Sequence, residues 1–219
     1  MDKLNIIGDF MKYYKLVQNA RNPKGFWGKM MIRSMNKGHY TVTGWGLEHI
    51  KINKNYVILD IGCGGGKTVA RLSGLADGGK VYGIDYSPLA VEKSRKHNKK
   101  LIAESKVQID RASVSELPYE DCIFDLVTAV ETYYFWPDKL NDLKEVLRVI
   151  KPGGKLLMIF EMRKTSDDPD KWAEVEKLAD IKAVSEDEIE GIMVKAGFKE
   201  VKTFTKDGTT WLCAVGTKE

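Results

Sequence analysis

Residues 58–68 read ILDIGCGGGKT: an apolar run that closes on Asp60, four glycines between positions 62 and 66, then Lys67 and Thr68. Glycine carries no Cβ, so at such positions the main chain can turn at positive φ or press against a ligand. The run YVILDI (56–61) has the composition of a strand, and in an open α/β sheet ligands lie beyond the carboxyl ends of the strands. The question is which ligand the turn holds.

Outward from this stretch, short β-rich runs alternate with helical patterns, the signature of a parallel sheet covered by helices. The further strands expected are KVYGID (80–85), KVQIDRA (106–112), FDLVTAV (124–130) and KLLMIFEM (155–162). Ser87-Pro88 places a cap and then a favoured first helical residue, opening a helix through SRKHNKK. Leu140, Leu143, Leu147 and Ile150 recur at helical spacing until Pro152-Gly153-Gly154 stops the pattern. Ser185 precedes an acidic first turn, and Gly197 is the expected C-terminal cap. Beyond it, EVKTFTK (200–206) and TTWLCAVGT (209–217) flank Asp207-Gly208, which predicts a two-residue type I′ turn and an antiparallel pair.

The whole chain has 219 residues, 43% hydrophobic and 30% charged, enough for one well-buried core. That predicts one folded domain, residues 56–219, preceded by an N-terminal extension, residues 1–55. No uninterrupted apolar run reaches the ~18 residues of a membrane span. Asp2, Lys3, Asp9, Lys12 and Lys15 interrupt the first twenty positions, so neither a membrane segment nor a secretory signal is expected, and the expected location is cytoplasmic. Cys63, Cys122 and Cys213 form no C-x-x-C pair, which argues against a disulfide framework or structural zinc, and no metal site is expected. Residues 1–110 hold 19 Lys and Arg against 9 Asp and Glu, whereas residues 111–219 hold 16 against 22. A basic front half could face an anionic partner, although uneven solvated helix faces give the same pattern without one.

Three ligands compete for the glycine turn. A phosphate loop, G-x-x-x-x-G-K-[ST], would need its first glycine at Ile61, where the strand ends. The dinucleotide pattern G-x-G-x-x-G matches Gly62 and Gly64 but meets Lys67 at its third glycine, and it would set a pyrophosphate close to the Asp60 carboxylate. The remaining pattern, D-x-G-x-G-x-G, fits Asp60, Gly62, Gly64 and Gly66 at every position.

On that pattern the sequence resembles the class I S-adenosylmethionine-dependent methyltransferase family, of the small-molecule type similar to methyltransferase domain 11. Further landmarks follow in the family's order: Gly83-Ile-Asp85-Tyr86-Ser87, Leu117-Pro118, Phe124-Asp125-Leu126-Val127, and Leu147-Arg148-Val149-Ile150-Lys151-Pro152-Gly153-Gly154. The resemblance covers roughly residues 56–217. It implies an α/β, Rossmann-like fold: a seven-stranded, mostly parallel sheet with an antiparallel C-terminal hairpin and helices on both faces. It also implies S-adenosyl-L-methionine as cofactor and S-adenosyl-L-homocysteine as product. The implied cofactor-binding residues are Asp60, Gly62, Cys63, Gly64 and Gly66 at the turn, Asp85 and Tyr86 at the ribose, Ser113 and Val114 at the adenine, and Val130 at the end of the fourth strand. Ser113 departs from the family, which commonly has an Asp there; a hydroxyl accepts from the adenine amine more weakly.

The acceptor is expected beside the loop after the fourth strand, Glu131-Thr132-Tyr133-Tyr134-Phe135-Trp136, where aromatic rings can line a pocket and Glu131 can orient a nucleophile. The loop has no Asn-Pro-Pro-Tyr and no Pro-Cys, which argues against a DNA base as target. The segment from Gly25 to Ile50 mixes methionines, aromatics and glycines and reads as an apolar lid; an amphipathic helix over 26–35 packed permanently on the sheet is the competing reading. His39 is its candidate general base, and Glu131, Tyr133 and Tyr134 complete the catalytic candidates. The expected function is methyl transfer to a small-molecule oxygen, nitrogen or sulfur nucleophile by a monomer or homodimer. RNA methylation and cofactor binding without turnover are the alternatives.

Overall fold

The computed structural model describes residues 14–219. After a helical segment at 14–18 come α1 (Gly25–Leu47), β1 (Val57–Ile61), α2 (Lys67–Leu75), β2 (Lys80–Asp85), α3 (Pro88–His97), α4 (Lys99–Ala103), β3 (Val107–Arg111) and β4 (Phe124–Val130). A 3-10 turn (Tyr133–Phe135) leads to α5 (Lys139–Val149), β5 (Ile150–Phe160), α6 (Ala173–Ala179), α7 (Glu186–Ala196), β6 (Lys199–Thr205) and β7 (Leu212–Thr217).

The seven strands form one sheet in the order β3-β2-β1-β4-β5-β7-β6, parallel except for β7, which runs antiparallel to both β5 and β6. This is the expected Rossmann-like α/β architecture. The central strands β1, β4 and β7 are buried on both sides because both faces are covered there, while the edge strand β6 is largely exposed. In β1, Ile58 packs with Val69, Leu72 and Val42 beneath α1 and α2, while its neighbour Leu59 packs with Leu143, Val146 and Ile189 beneath α5 and α7. The order of strands reverses between β1 and β4, which opens a crevice at their carboxyl ends. Among the described residues no helix is long and apolar enough to cross a membrane.

The local signals hold with three changes. Ser87 caps α3 by accepting from the Ala90 N–H, and Ser185 with Glu188 forms a complete capping box on α7. The helix expected through SRKHNKK breaks at Asn98, whose amide side chain donates to the carbonyls of Gly66 and Ser94 and ties that corner to the glycine turn. The expected type I′ turn is not formed: β6 and β7 pair only as far as Thr205 and Leu212. Gly208 takes φ +69° while Asp207 does not share it, whereas type I′ needs positive φ at both central residues. β5 begins at Ile150 rather than Lys155, with the pairing to β4 slipping past Gly153 at φ +78°.

Candidate active site

β1 delivers Asp60 and the glycine turn to the crevice. Asp60 is only 1% exposed; the Thr128 hydroxyl on neighbouring β4 donates to it at 2.7 Å. Burial, with Asp85 nearby, pushes the Asp60 carboxyl up to about 7. The turn folds back onto β2: the Cys63 N–H donates to the Ile84 carbonyl at 2.8 Å and the Gly64 N–H to an Asp85 oxygen at 3.0 Å. The other Asp85 oxygen accepts from the Ser87 N–H at 2.9 Å. Burial raises the Asp85 carboxyl and these amides oppose it.

The glycines divide their work. Gly62 (φ +69°) passes so close to the loop after β4 that a Cβ would sit 2.2 Å from the Thr132 hydroxyl. At Gly64 (φ +52°) a Cβ would meet nothing nearer than 3.9 Å, so that face is open. Gly66 (φ +81°) faces α3 instead, where a Cβ would meet Asn98 at 2.4 Å and Ser94 at 2.5 Å. It is therefore a helix-packing position at the start of α2, and it does not line the cavity.

These elements enclose a cavity of about 390 Å³, within the range that takes a small ligand. Asp60, Gly62, Cys63, Gly64, Asp85, Tyr86, Ser113, Val114, Val130, Glu131 and His39 all line it. Ser113 is partly engaged, since its hydroxyl accepts from the Ser115 N–H at 3.2 Å. The opposite wall comes from α1, through Ile32, Met35, Asn36, His39, Tyr40 and Thr43. α1 is one continuous 23-residue helix, seated tightly at both ends. A Cβ on Gly28 would fall 2.6 Å from the Pro23 backbone, and one on Gly46 would fall 2.4 Å from Ile159.

The aromatic loop splits in two. Phe135 and Trp136 line the cavity, whereas Tyr133 and Tyr134 turn into the core against Phe160 and do not. Tyr134 still acts on the site from behind. Its oxygen accepts from the Met162 N–H at 3.1 Å, leaving its proton for Glu131. Glu131 also accepts from the Glu161 N–H, and burial pushes its carboxyl up to about 8. His39 lies half-buried with its Nε2 3.8 Å from a Glu161 oxygen, and burial lowers the imidazole to about 4, so the ring is neutral near pH 7. His39, Glu131 and Glu161 bring one ligand atom each within 4.8 Å of one another. Glu161, Thr128, Thr132 and Asn36 were not singled out from the sequence. His49 stacks on Phe204 and has no part in this cavity.

A profile described as "Methyltransferase domain" matches residues 52–207. Among curated proteins, the chain is 36% identical over 101 residues to 27-O-demethylrifamycin SV methyltransferase of Amycolatopsis mediterranei, covering 46% of this chain and 37% of that protein. It is 39% identical over 104 residues to demethylmenaquinone methyltransferase of Bacillus mycoides, covering 46% and 43%. The matches thus span less than half the length of either relative. Among solved structures, a phosphoethanolamine N-methyltransferase 2 of Haemonchus contortus, in complex with S-adenosylhomocysteine, superposes with a TM-score of 0.73 at 16% identity, covering 88% of this chain and 58% of that one. That last similarity is one of fold.

Proposed function

The chain belongs to the class I S-adenosylmethionine-dependent methyltransferase family, and from that premise we propose that it transfers a methyl group from S-adenosylmethionine to an oxygen, nitrogen or sulfur nucleophile on a small molecule. The observation that carries this reading is the meeting of Asp60, Asp85 and the open Gly64 face in one cavity. Two carboxylates suit a ligand bearing sulfonium and ammonium charges and repel a pyrophosphate. S-adenosylmethionine, when bound, supplies an electrophilic methyl on sulfur. The Gly64 N–H meets one Asp85 oxygen and the Ser87 N–H the other, which leaves lone pairs for ribose hydroxyls. The Val114 backbone and Ser113 flank the adenine, the hydroxyl more weakly because Ser115 already uses it. Asp60 faces the amino-acid end.

Of the extension expected over 1–55, residues 1–13 lie outside the described residues, and α1 acts as the cover, closing the cavity and excluding water that would compete with the acceptor. His39 and Glu131 are the polar groups that meet the acceptor, with Phe135 and Trp136 as its apolar wall. Alignment of the nucleophile supplies much of the rate. Tyr134 positions Glu131 and does not touch the acceptor, and Tyr133 is structural.

Isothermal titration with S-adenosylmethionine, S-adenosylhomocysteine, NAD and ATP tests this. Wild type should bind the first two, and Asp85→Ala should lose them by about 100-fold, the scale of two charge-assisted hydrogen bonds removed. Tight binding of NAD or ATP, with neither adenosyl compound, would overturn the assignment.

A further inference from the structure

We propose that His39, Glu131 and Glu161 form a binding site for one divalent transition-metal ion at the α1 edge of the cavity. The proposal rests on the reading of that cavity as a methyl-transfer site. The three side chains arrive from separate places: His39 from the middle of α1, Glu131 from the first position after β4, and Glu161 from the first position after β5. β4 and β5 are paired in register, Val130 against Ile159, which fixes the two glutamates at adjacent strand ends.

The geometry suits an ion. One imidazole nitrogen and two carboxylate oxygens lie within 4.8 Å of one another, with the His39–Glu161 pair at 3.8 Å. Ligands about 2.1 Å from a common ion stand roughly 3 to 4 Å apart, so small side-chain rotations close the set. Glu161 is partly exposed and free to make that movement. One nitrogen and two oxygens match borderline cations such as Mn²⁺, Fe²⁺ or Zn²⁺ better than soft thiophilic ones.

The charge balance and the support behind the ligands point the same way. Among the described residues, Glu131 and Glu161 have no Lys or Arg within ion-pair distance, and Glu161 with His39 is their one ion-pair contact. Two carboxylates so placed match a dication. Glu131 is held from behind by the Glu161 N–H and by Tyr134, itself fixed by the Met162 N–H. Metal-ligating carboxylates are oriented by outer hydrogen bonds of this kind.

His39 and Glu131 line the cavity, so an ion held by three protein ligands keeps open positions toward the acceptor. That favours an oxygen acceptor. The ion would take the acceptor hydroxyl as a further ligand and ease loss of its proton to water at the exposed Glu161 side. The oxygen lone pair then forms the new C–O bond as the methyl–sulfur bond breaks, its electron pair staying on the thioether sulfur.

The full chain, stripped with chelator and desalted, is titrated with MnCl₂ by calorimetry and by electron paramagnetic resonance, with and without S-adenosylhomocysteine. One Mn²⁺ per chain is expected at micromolar affinity. Glu161→Gln, a change at a half-exposed position, should weaken it by at least about 100-fold while S-adenosylhomocysteine binding persists, and His39→Ala should do the same. No binding up to millimolar Mn²⁺ or Zn²⁺, or binding unchanged in both variants, overturns the proposal. Mn²⁺ binding that needs the three residues, in a chain that binds neither adenosyl compound, would retain the ion site and sink the methyl-transfer reading.

Discussion

The glycine-turn wall of the cavity is made of main chain pinned to β2, whereas the α1 edge is made of side chains gathered from three segments spread over more than a hundred residues. On the first wall, Cys63, Gly64 and Ser87 give their N–H groups to fixed acceptors on β2, and Thr128 reaches Asp60 from the next strand in register. On the second, His39, Glu131 and Glu161 meet only because a long helix lies across two strand ends. A wall of backbone tolerates little change in shape, while a wall of side chains can change its chemistry without refolding. Substitutions should therefore cost more on the first than on the second.

Gly62→Ala should show the largest effect. A Cβ there meets the Thr132 hydroxyl at 2.2 Å and the Thr132 Cβ at 2.6 Å, at a φ of +69° that an L side chain adopts only under strain. We expect a loss of about 3 kcal/mol, read as a fall of roughly 6–12 °C in Tm by circular dichroism. Adding Thr132→Ala should restore only part, because the Cβ clash and the φ strain remain. A melting point within 2 °C of wild type, on the order of 1 kcal/mol or less, would show that the turn is not rigid.

Asp60 gives the next effect, and its sign is specific. Its carboxyl is raised in the folded chain from the usual range near 4 to about 7, so between those values the native state holds a proton that the unfolded state has lost. Stability of the ligand-free protein should therefore fall as pH rises from 5 to 8, by about 2 kcal/mol from this group. Affinity for a cationic donor should rise over the same window, since only the ionised carboxylate attracts it. Asp60→Asn should flatten both profiles. Melting curves and titrations at pH 5, 6, 7 and 8 test this, and an unchanged slope in the variant would remove Asp60 from the account.

Gly46→Ala tests how firmly the second wall is seated. The new Cβ would press on Ile159 at 2.4 Å, and the α1 backbone there is otherwise ordinary helix. Overpacking of this kind costs about 1.5 kcal/mol. Combined with Ile159→Ala, which removes the atoms it strikes, the double variant should lose less than the sum of the two singles. Strict additivity would mean that α1 does not rest on β5.

The same contrast decides what could be read from the sequence. Asp60, the glycine turn and Asp85 sit within 26 residues and depend on local geometry, so their spacing carried them. The caps at Ser87 and Ser185 were legible for the same reason. α1 was legible only in part, as the competing helix over 26–35: it runs on to Leu47 with no side-chain cap, no acidic residue in its first turn, no basic residue in its last, and four interior glycines that suggest a loop. Gly28 and Gly46 are there because neighbours come too close for any Cβ, a long-range fact. In the aromatic loop, which rings turn inward depended on Phe160, so Tyr133 and Tyr134 could not be separated from Phe135 and Trp136. Glu161 did leave a faint local signal. It follows β5 as Glu131 follows β4, and Asp85 closes β2, so one acidic residue stands at each of these strand ends.

The smallest effect belongs to the surface fastening of α1. Arg71 on α2 donates to the Tyr40 carbonyl at 3.0 Å and stacks its guanidinium 3.8 Å from the Tyr40 ring centroid. Gly44 makes room for it, since a Cβ there would stand 3.2 Å from the guanidinium. Tyr40 is 56% exposed, and a cation–π contact in water contributes about 0.5–1 kcal/mol. Arg71→Ala should therefore lower Tm by only about 1–4 °C. Because Arg71 also lines the cavity, the variant separates two roles. A small Tm change with a several-fold loss of S-adenosylmethionine affinity assigns Arg71 to the donor's carboxylate end. A Tm loss as large as that of Gly62→Ala would instead mean that the side-chain wall is as rigid as the backbone wall, and the contrast between them would fail.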